Sequence, residues 1–143
     1  MSINPLLAGE PAKITIRQAL ALAPALRALD GTGGKQYEFG SGIVRLKMSN
    51  DLTIVQGVEQ STEKARQAIV REILKKSGGT EIKIGTPDYD DFSTQFNELM
   101  DQPASGTQDL AHIKASELKL EKNEIPVTVL TGLHPILDVD VNP

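Results

Sequence analysis

The fold is decided by residues 41–77, whose sequence is SGIVRLKMSNDLTIVQGVEQSTEKARQAIVREILKKS, without a proline. Ser41 is of a type that commonly caps the start of a helix, and Gly78 can adopt the left-handed conformation that ends one. Between them, apolar residues recur at steps of three, four or seven positions, which is the spacing of one helix face. These residues are Val44, Met48, Leu52, Val55, Val58, Ala65, Ile69 and Ile73. The stretch therefore predicts one long amphipathic helix.

The middle of this helix is its weakest part. Gly57 should cost about 1 kcal/mol relative to alanine in a helix interior, so the helix either continues through it or divides into residues 41–56 and 58–77. We expect the continuous form. About 36 residues would span roughly 54 Å, which is longer than a compact domain of this mass is wide. Part of the helix must therefore contact a partner or stand in water.

The residues before the long helix predict an extended arm and a broken helical pair. Two prolines and a glycine keep residues 1–13 from forming a lasting helix. Thr15 can cap a helix, but Pro24 lacks the amide that would complete a backbone hydrogen bond. We therefore expect residues 16–29 to form two helical pieces and not one rod.

The residues after the long helix predict two shorter helices. Residues 86–88 have the order of cap, proline and acid that begins a helix, and this helix should end before Pro103. Residues 125–137 are rich in apolar side chains and predict a last helix, which Pro135 breaks. Residues 138–143 are expected to form a flexible tail.

A small sheet completes the predicted fold. Residues 81–84 alternate polar and apolar side chains, as an edge strand does, and residues 110–113 can pair with them in a hairpin-like arrangement. The predicted fold class is mainly α with a small β element (α+β), in which shorter helices pack on a long central helix beside a short two-stranded sheet. The 143 residues suit a single domain, residues 1–143.

Composition excludes several classes of protein. The chain has no cysteine, which rules out disulfides and thiolate metal sites. Its formal net charge of −4 has the wrong sign for a general binder of phosphate backbones, so nucleic acid is not an expected partner. No apolar window approaches 18 residues and no basic leader precedes one, so we expect neither a membrane span nor a signal peptide.

No group of residues predicts a catalytic, cofactor or metal site, and we expect a protein that is not an enzyme. Residues 30–35 (DGTGGK) resemble a phosphate-binding loop but lack its full spacing, so a flexible linker is the better interpretation. His112 and His134 have no second histidine or cysteine at ligand spacing, which favours partly buried polar roles. The acids Asp88, Asp90 and Asp91 complement a helix dipole, whereas Asp138 and Asp140 belong to the predicted tail.

Several segments resemble a group of small uncharacterised proteins encoded by tailed bacteriophages. They are TIRQAL (15–20), APALRAL (23–29), EKARQAI (63–69), FNELM (96–100) and the closing residues 125–137. The resemblance implies a phage setting, in the host cytoplasm or the virion. It implies no catalytic positions, because such proteins are generally described without a known activity.

Two functional hypotheses follow. The first is a non-enzymatic phage structural or assembly protein that acts through protein–protein contacts, and it predicts a homo-oligomer. The second is a phage-encoded inhibitor that binds a bacterial enzyme or defence factor. The apolar stripe itself leaves two alternatives open, because it can be the internal seam of a monomer or a coiled-coil seam between subunits.

Overall fold

Four α-helices, two short strands and two 3-10 turns form the part of the chain that the computed structural model describes, residues 13–31 and 34–139. The helices are α1 (Ile16–Leu29), α2 (Gly42–Ser77), α3 (Pro87–Met100) and α4 (Val127–Gly132), and the strands are β1 (Ile113–Lys114) and β2 (Leu137–Asp138). The 3-10 turns are Thr107–Asp109 and Ala115–Leu118. The predicted class, mainly α with a small β element, is confirmed. Residues 1–12 of the predicted arm lie outside the described residues.

Helix α2 is continuous through Gly57 and begins and ends at the predicted residues. The Ser41 hydroxyl accepts a hydrogen bond from the Ile43 amide (3.2 Å). At the other end, Gly78 has a φ of 75°, and its amide donates to the Leu74 carbonyl (2.8 Å). Gly57 is tolerated because the packing of an amphipathic face supplies most of a helix's stability.

The predicted apolar stripe of α2 lies in the core of the monomer. Its members Val44, Met48, Leu52, Val55, Val58 and Ile73 are buried, while Ala65 and Ile69 are half-buried. Helix α1 packs on α2 and supplies Leu22, Leu26 and Leu29, each with no exposed surface. Helix α3 also packs on α2, and α4 packs on α1. The stripe is therefore an internal seam.

The prediction that Pro24 divides residues 16–29 is wrong, because α1 is one helix with Pro24 inside it. A proline in a helix interior costs about 3 kcal/mol, so other interactions must offset that cost. Pro24 itself is exposed, while both of its neighbours, Ala23 and Ala25, are buried. A capping box between Thr15 and Gln18 fixes the first turn of the helix. Core packing on each side of the proline thus holds the helix together.

The predicted sheet has the wrong partners and the wrong direction. Residues 81–84 form no strand, and Ile84 is 84% exposed. Instead β1 pairs with β2 in parallel, with Ile113 beside Leu137 in the register. Burial explains the choice, because Ile113 and Ile136 are both in the core, whereas pairing with residues 81–84 would draw an exposed turn toward it.

The shorter helices follow local signals. The Thr86 hydroxyl accepts from the Tyr89 amide (3.2 Å), and α3 begins at Pro87, as predicted. Helix α4 covers only six residues of the predicted 125–137, and Pro135 lies beyond its end. Asp138, the first residue of the predicted tail, lies in β2, and residues 140–143 lie outside the described part.

Backbone hydrogen bonds connect the start of α1 to the residues that follow α3. The Ile16 amide donates to the Gln102 carbonyl (2.9 Å), and the Ala104 amide donates to the Ile14 carbonyl (2.8 Å). These bonds hold residues 103–106 beside the start of α1.

Within residues 13–31 and 34–139, no helix is long and apolar enough to cross a membrane.

Candidate protein-binding surface

One face of α2 is turned away from the core and carries exposed apolar side chains. Ile43 is 67% exposed and Leu46 is 60% exposed. Four more exposed residues continue the same face at steps of three or four positions. The whole set, called the open face below, is Ile43, Leu46, Asn50, Thr53, Gly57 and Ser61.

The open face is free of charge. Its six members include no acid or base, although charged residues make up 24% of the chain. The exposed positions farther along α2 are different, because most of them are charged, namely Glu63, Lys64, Arg71, Glu72, Lys75 and Lys76. The charged surface of the second half of α2 is suited to water, whereas the open face resembles the centre of a protein interface, where charged residues are depleted.

A groove of about 520 Å³ lies at the far end of the open face. It is bounded by the middle of α2, the start of α1, the end of α3 and residues 103–106. The residues that line it are mainly small or apolar, namely Ile16, Thr53, Ile54, Gly57, Val58, Ser61, Thr62, Ala65, Leu99, Pro103, Ala104, Ser105 and Gly106. A recess of this size and lining can receive aliphatic side chains.

Two features keep the groove open. A Cβ atom placed on Gly57 would meet no heavy atom of residues 13–31 and 34–139 within 4 Å, so the glycine leaves free space above this part of the helix. On the opposite wall, the buried Thr107 hydroxyl accepts from the Ile14 amide (3.1 Å) and donates to the Ala104 carbonyl (2.6 Å). These hydrogen bonds to the backbone fix the position of this wall, so the groove does not close by movement of residues 104–107.

Among the described residues, the structure brings together His112 and Asp138 of those weighed in the sequence as possible sites, and forms no larger cluster from them. The histidine His112 accepts or donates a hydrogen bond with Asp138 through its Nδ1 atom (3.0 Å), and both side chains are exposed. His134 is exposed elsewhere, and Asp88 lies in the first turn of α3. Within residues 13–31 and 34–139, no three histidines or acids are grouped as metal ligands would be.

The loop of residues 30–35 is only partly described, since residues 32 and 33 lie outside the described part. Lys35 donates to the Glu124 carbonyl (3.4 Å), and its ammonium lies 5.4 Å from the centre of the Tyr37 ring. The lysine is thus engaged with its own chain.

Asp51 is the one buried carboxylate among the described residues. One of its oxygens accepts from the Ala111 amide (2.7 Å), and the other has no hydrogen-bond partner. Burial raises the pKa of Asp51 to about 6, against the opposing effects of the Ala111 amide, His112 and Lys47. The bond from Ala111 links α2 to the residues that precede β1. Because its side chain has no exposed surface, Asp51 cannot touch a solute in this conformation.

Neither Asp51 nor the open face was predicted from the sequence as a functional feature. The signal for Asp51 was its position, three residues after Met48 and four before Val55, which puts it on the apolar stripe. The signal for the open face was that Ile43 and Leu46 are large apolar residues that do not belong to that stripe. No periodicity could show the groove, because residues far apart in the chain build its walls.

No family model, curated protein or solved structure matches this chain.

Proposed function

We propose that this protein is a non-enzymatic structural or assembly component that acts through protein–protein contacts and associates with itself. The observation that carries the proposal is the open face of α2, where two large aliphatic side chains are exposed to water and the other four members carry no charge. Fully burying one such side chain is worth about 1.5–3 kcal/mol. A partner that covers both would gain about 3–6 kcal/mol from these two side chains, so further contacts along the open face must add to them.

The groove supports the same proposal. It is too apolar and too poor in titratable groups to favour polar small molecules, because its lining includes no acid, base or histidine. A preformed apolar recess of this kind receives side chains of a partner at low cost in conformational entropy. The groove and the open face meet at Thr53, Gly57 and Ser61, so a single partner can cover both.

The phage setting is a proposal that rests on the sequence resemblance. In that setting the protein would be found in the virion or in the cytoplasm of the infected host. Its 36-residue helix α2, with shorter helices packed on one side, suits a subunit that packs beside others.

The proposal is tested by light scattering over a series of concentrations. Wild-type protein should show a mass that rises with concentration, and Leu46→Lys should remain monomeric because a charge enters the uncharged face. Ile84→Lys is the matched control, since Ile84 is still more exposed but lies outside α2. A wild-type monomer at every concentration, or equal loss of association in both variants, would contradict the proposal.

A further inference from the structure

The open face of α2 lies close to the point at which the N-terminal residues of the chain enter the described fold. We infer that residues 1–12 cross this face within the same molecule, with Leu6 and Leu7 packed against Ile43 and Leu46. The segment then regulates the proposed contact, because a second copy must displace it to reach the open face. That consequence rests on the self-association proposed above, whereas the packing itself does not.

The pairing of residues 14–16 fixes the direction in which the N-terminal segment leaves the fold. They run antiparallel to residues 102–104, in an isolated bridge between Thr15 and Pro103. Two backbone hydrogen bonds flank the bridge, with nitrogen-to-oxygen distances of 2.8 and 2.9 Å. Followed from Ile14 toward the N-terminus, the chain therefore heads in the direction in which residues 102–104 advance.

That direction leads toward the apolar end of the open face. Beyond residue 104, the chain meets α2 at progressively earlier positions of the helix. The neighbours, in chain order, are Gly106 with Ile54, Ala111 with Asp51 and Glu117 with Lys47. The N-terminal extension of residues 14–16 follows the same course, so it runs toward Leu46 and Ile43.

The length of the segment matches the distance to these side chains. Continued by three residues, the register of the bridge puts residue 12 opposite Gly106 and therefore beside Ile54. Leu46 and Ile43 lie about 12 and 16 Å from Ile54 along the helix axis. The two leucines of the segment lie about 17 and 20 Å from residue 12 when the chain is extended. They can therefore reach both exposed side chains.

The sequence of the segment suits an uncharged helix face. Residues 1–9 contain no charged side chain, although charged residues make up 24% of the chain. Pro5 and Pro11 favour extended backbone at their own positions and at the residues before them. An extended, uncharged segment can bury its leucines on the open face without removing a charge from water.

The covalent connection makes the segment a strong competitor for this face. A segment joined by a short linker has an effective concentration on the order of millimolar at its site. Even a contact with an intrinsic dissociation constant of about 0.1 mM would then cover the face for about nine-tenths of the time. A second copy at micromolar concentration meets a face that is mostly covered, so self-association should be weak until the segment is released.

Thiol labelling tests the packing, because the chain has no cysteine of its own. Asn50→Cys places a thiol in the middle of the open face. Its reaction with dithionitrobenzoate should become about tenfold faster when Leu6→Ser and Leu7→Ser are added, because the segment then loses both apolar contacts. Gln56→Cys is the matched control, since Gln56 is exposed on another side of α2. Its reaction rate should not change.

The concentration dependence of labelling identifies the occupant. The rates are measured where light scattering shows a monomer, and again after tenfold dilution, and a contact within one chain gives the same slow rate at both concentrations. Slow labelling of Asn50→Cys that is lost on dilution would assign the face to a neighbouring molecule and overturn the inference. Equal rates with and without the two leucine substitutions would show that the segment does not cover the open face.

Light scattering tests the regulatory consequence separately. The full chain with Leu6→Ser and Leu7→Ser should self-associate at a concentration at least about tenfold lower than the wild type, because its open face is free to bind. Slow labelling of Asn50→Cys together with unchanged association would overturn the regulation. No association of either protein would contradict the proposed function, and the labelling rates would still decide whether the segment packs on α2.

Discussion

At the scale of single residues, Asp51 gives the protein an unusual dependence of stability on pH. Its folded pKa of about 6 lies above the ordinary value of 3.8 because burial disfavours the charged carboxylate. The native state therefore binds a proton more tightly than the unfolded chain does. As the pH falls from about 7 to 4, this group should raise the free energy of unfolding, by up to ~3 kcal/mol.

Chemical denaturation of Asp51→Asn checks this expectation. The variant cannot titrate at this position, so the wild-type rise in stability between about pH 7 and 5 should be lost from it. Asp109→Asn removes an exposed carboxylate nearby and should keep the wild-type slope. The free energies of unfolding should be compared above about pH 5, because below that pH the protonation of Glu117 lowers the stability of the native state. The pKa of Glu117 is lowered by its bond from the Lys114 amide, so its contribution is lost as the pH falls through the acid range.

If the free energy of unfolding changed equally with pH in the wild type and in Asp51→Asn, the buried carboxylate would not be the source of the pH dependence. The sign matters here, since most folded proteins lose stability in mild acid. Asp51 should instead keep the stability of this protein constant or raise it in mild acid, until the protonation of Glu117 begins to lower it.

At the scale of elements, two glycines should respond to the same substitution in opposite ways. Gly57→Ala should raise the free energy of unfolding by about 1 kcal/mol, because alanine favours the helix and its Cβ meets no heavy atom. Gly132→Ala should lower it by about 1–3 kcal/mol. A Cβ there would lie 2.8 Å from the Ala21 carbonyl oxygen and 3.0 Å from the Ala25 Cβ, where α4 meets α1.

Thermal or urea unfolding of the two variants at low protein concentration measures both effects. The same Gly57→Ala change should also weaken self-association, since its methyl group enters the groove. A variant that is more stable as a monomer but associates less would separate the two roles of this position. Loss of stability in Gly57→Ala would instead indicate that the open space is filled in the folded monomer.

The elements also show what could be predicted from sequence and what could not. Caps were predictable at Thr15, Ser41 and Thr86, because a cap is a hydrogen bond between residues two or three positions apart. The strands were not, because β1 and β2 have two residues each and carry no periodic pattern. Pairing of such short strands is decided by which residues the core buries, and that depends on the whole fold.

The same distinction holds for the candidate surface. Ile43 and Leu46 are visible in the sequence as large apolar residues outside the stripe of α2. The groove is not, because it forms only where residues 103–106 meet the middle of α2. The bonds that bring those residues there join Ile14 to Ala104 and to Thr107, about ninety positions away. No local rule connects residues so far apart.

At the scale of the whole molecule, association and folding should be linked. A partner that binds only the native state stabilises it by mass action, so a self-associating protein unfolds at a temperature that rises with its own concentration. The α2 surface forms only when the helix is folded and packed, which makes this linkage unavoidable if the proposed contact exists. We therefore expect the unfolding midpoint of the wild type to rise by roughly a few degrees over a hundredfold range of concentration.

Calorimetry of the wild type, Leu46→Lys and Ile84→Lys at several protein concentrations checks this linkage. Leu46→Lys should unfold at one temperature throughout the range, because it removes the association and leaves the core intact. Ile84→Lys should follow the wild type. A midpoint that does not move in the wild type would mean that the open face is not covered by a second copy at these concentrations. A midpoint that still moves in Leu46→Lys would place the contact on another surface, because the charge at position 46 would then be compatible with association.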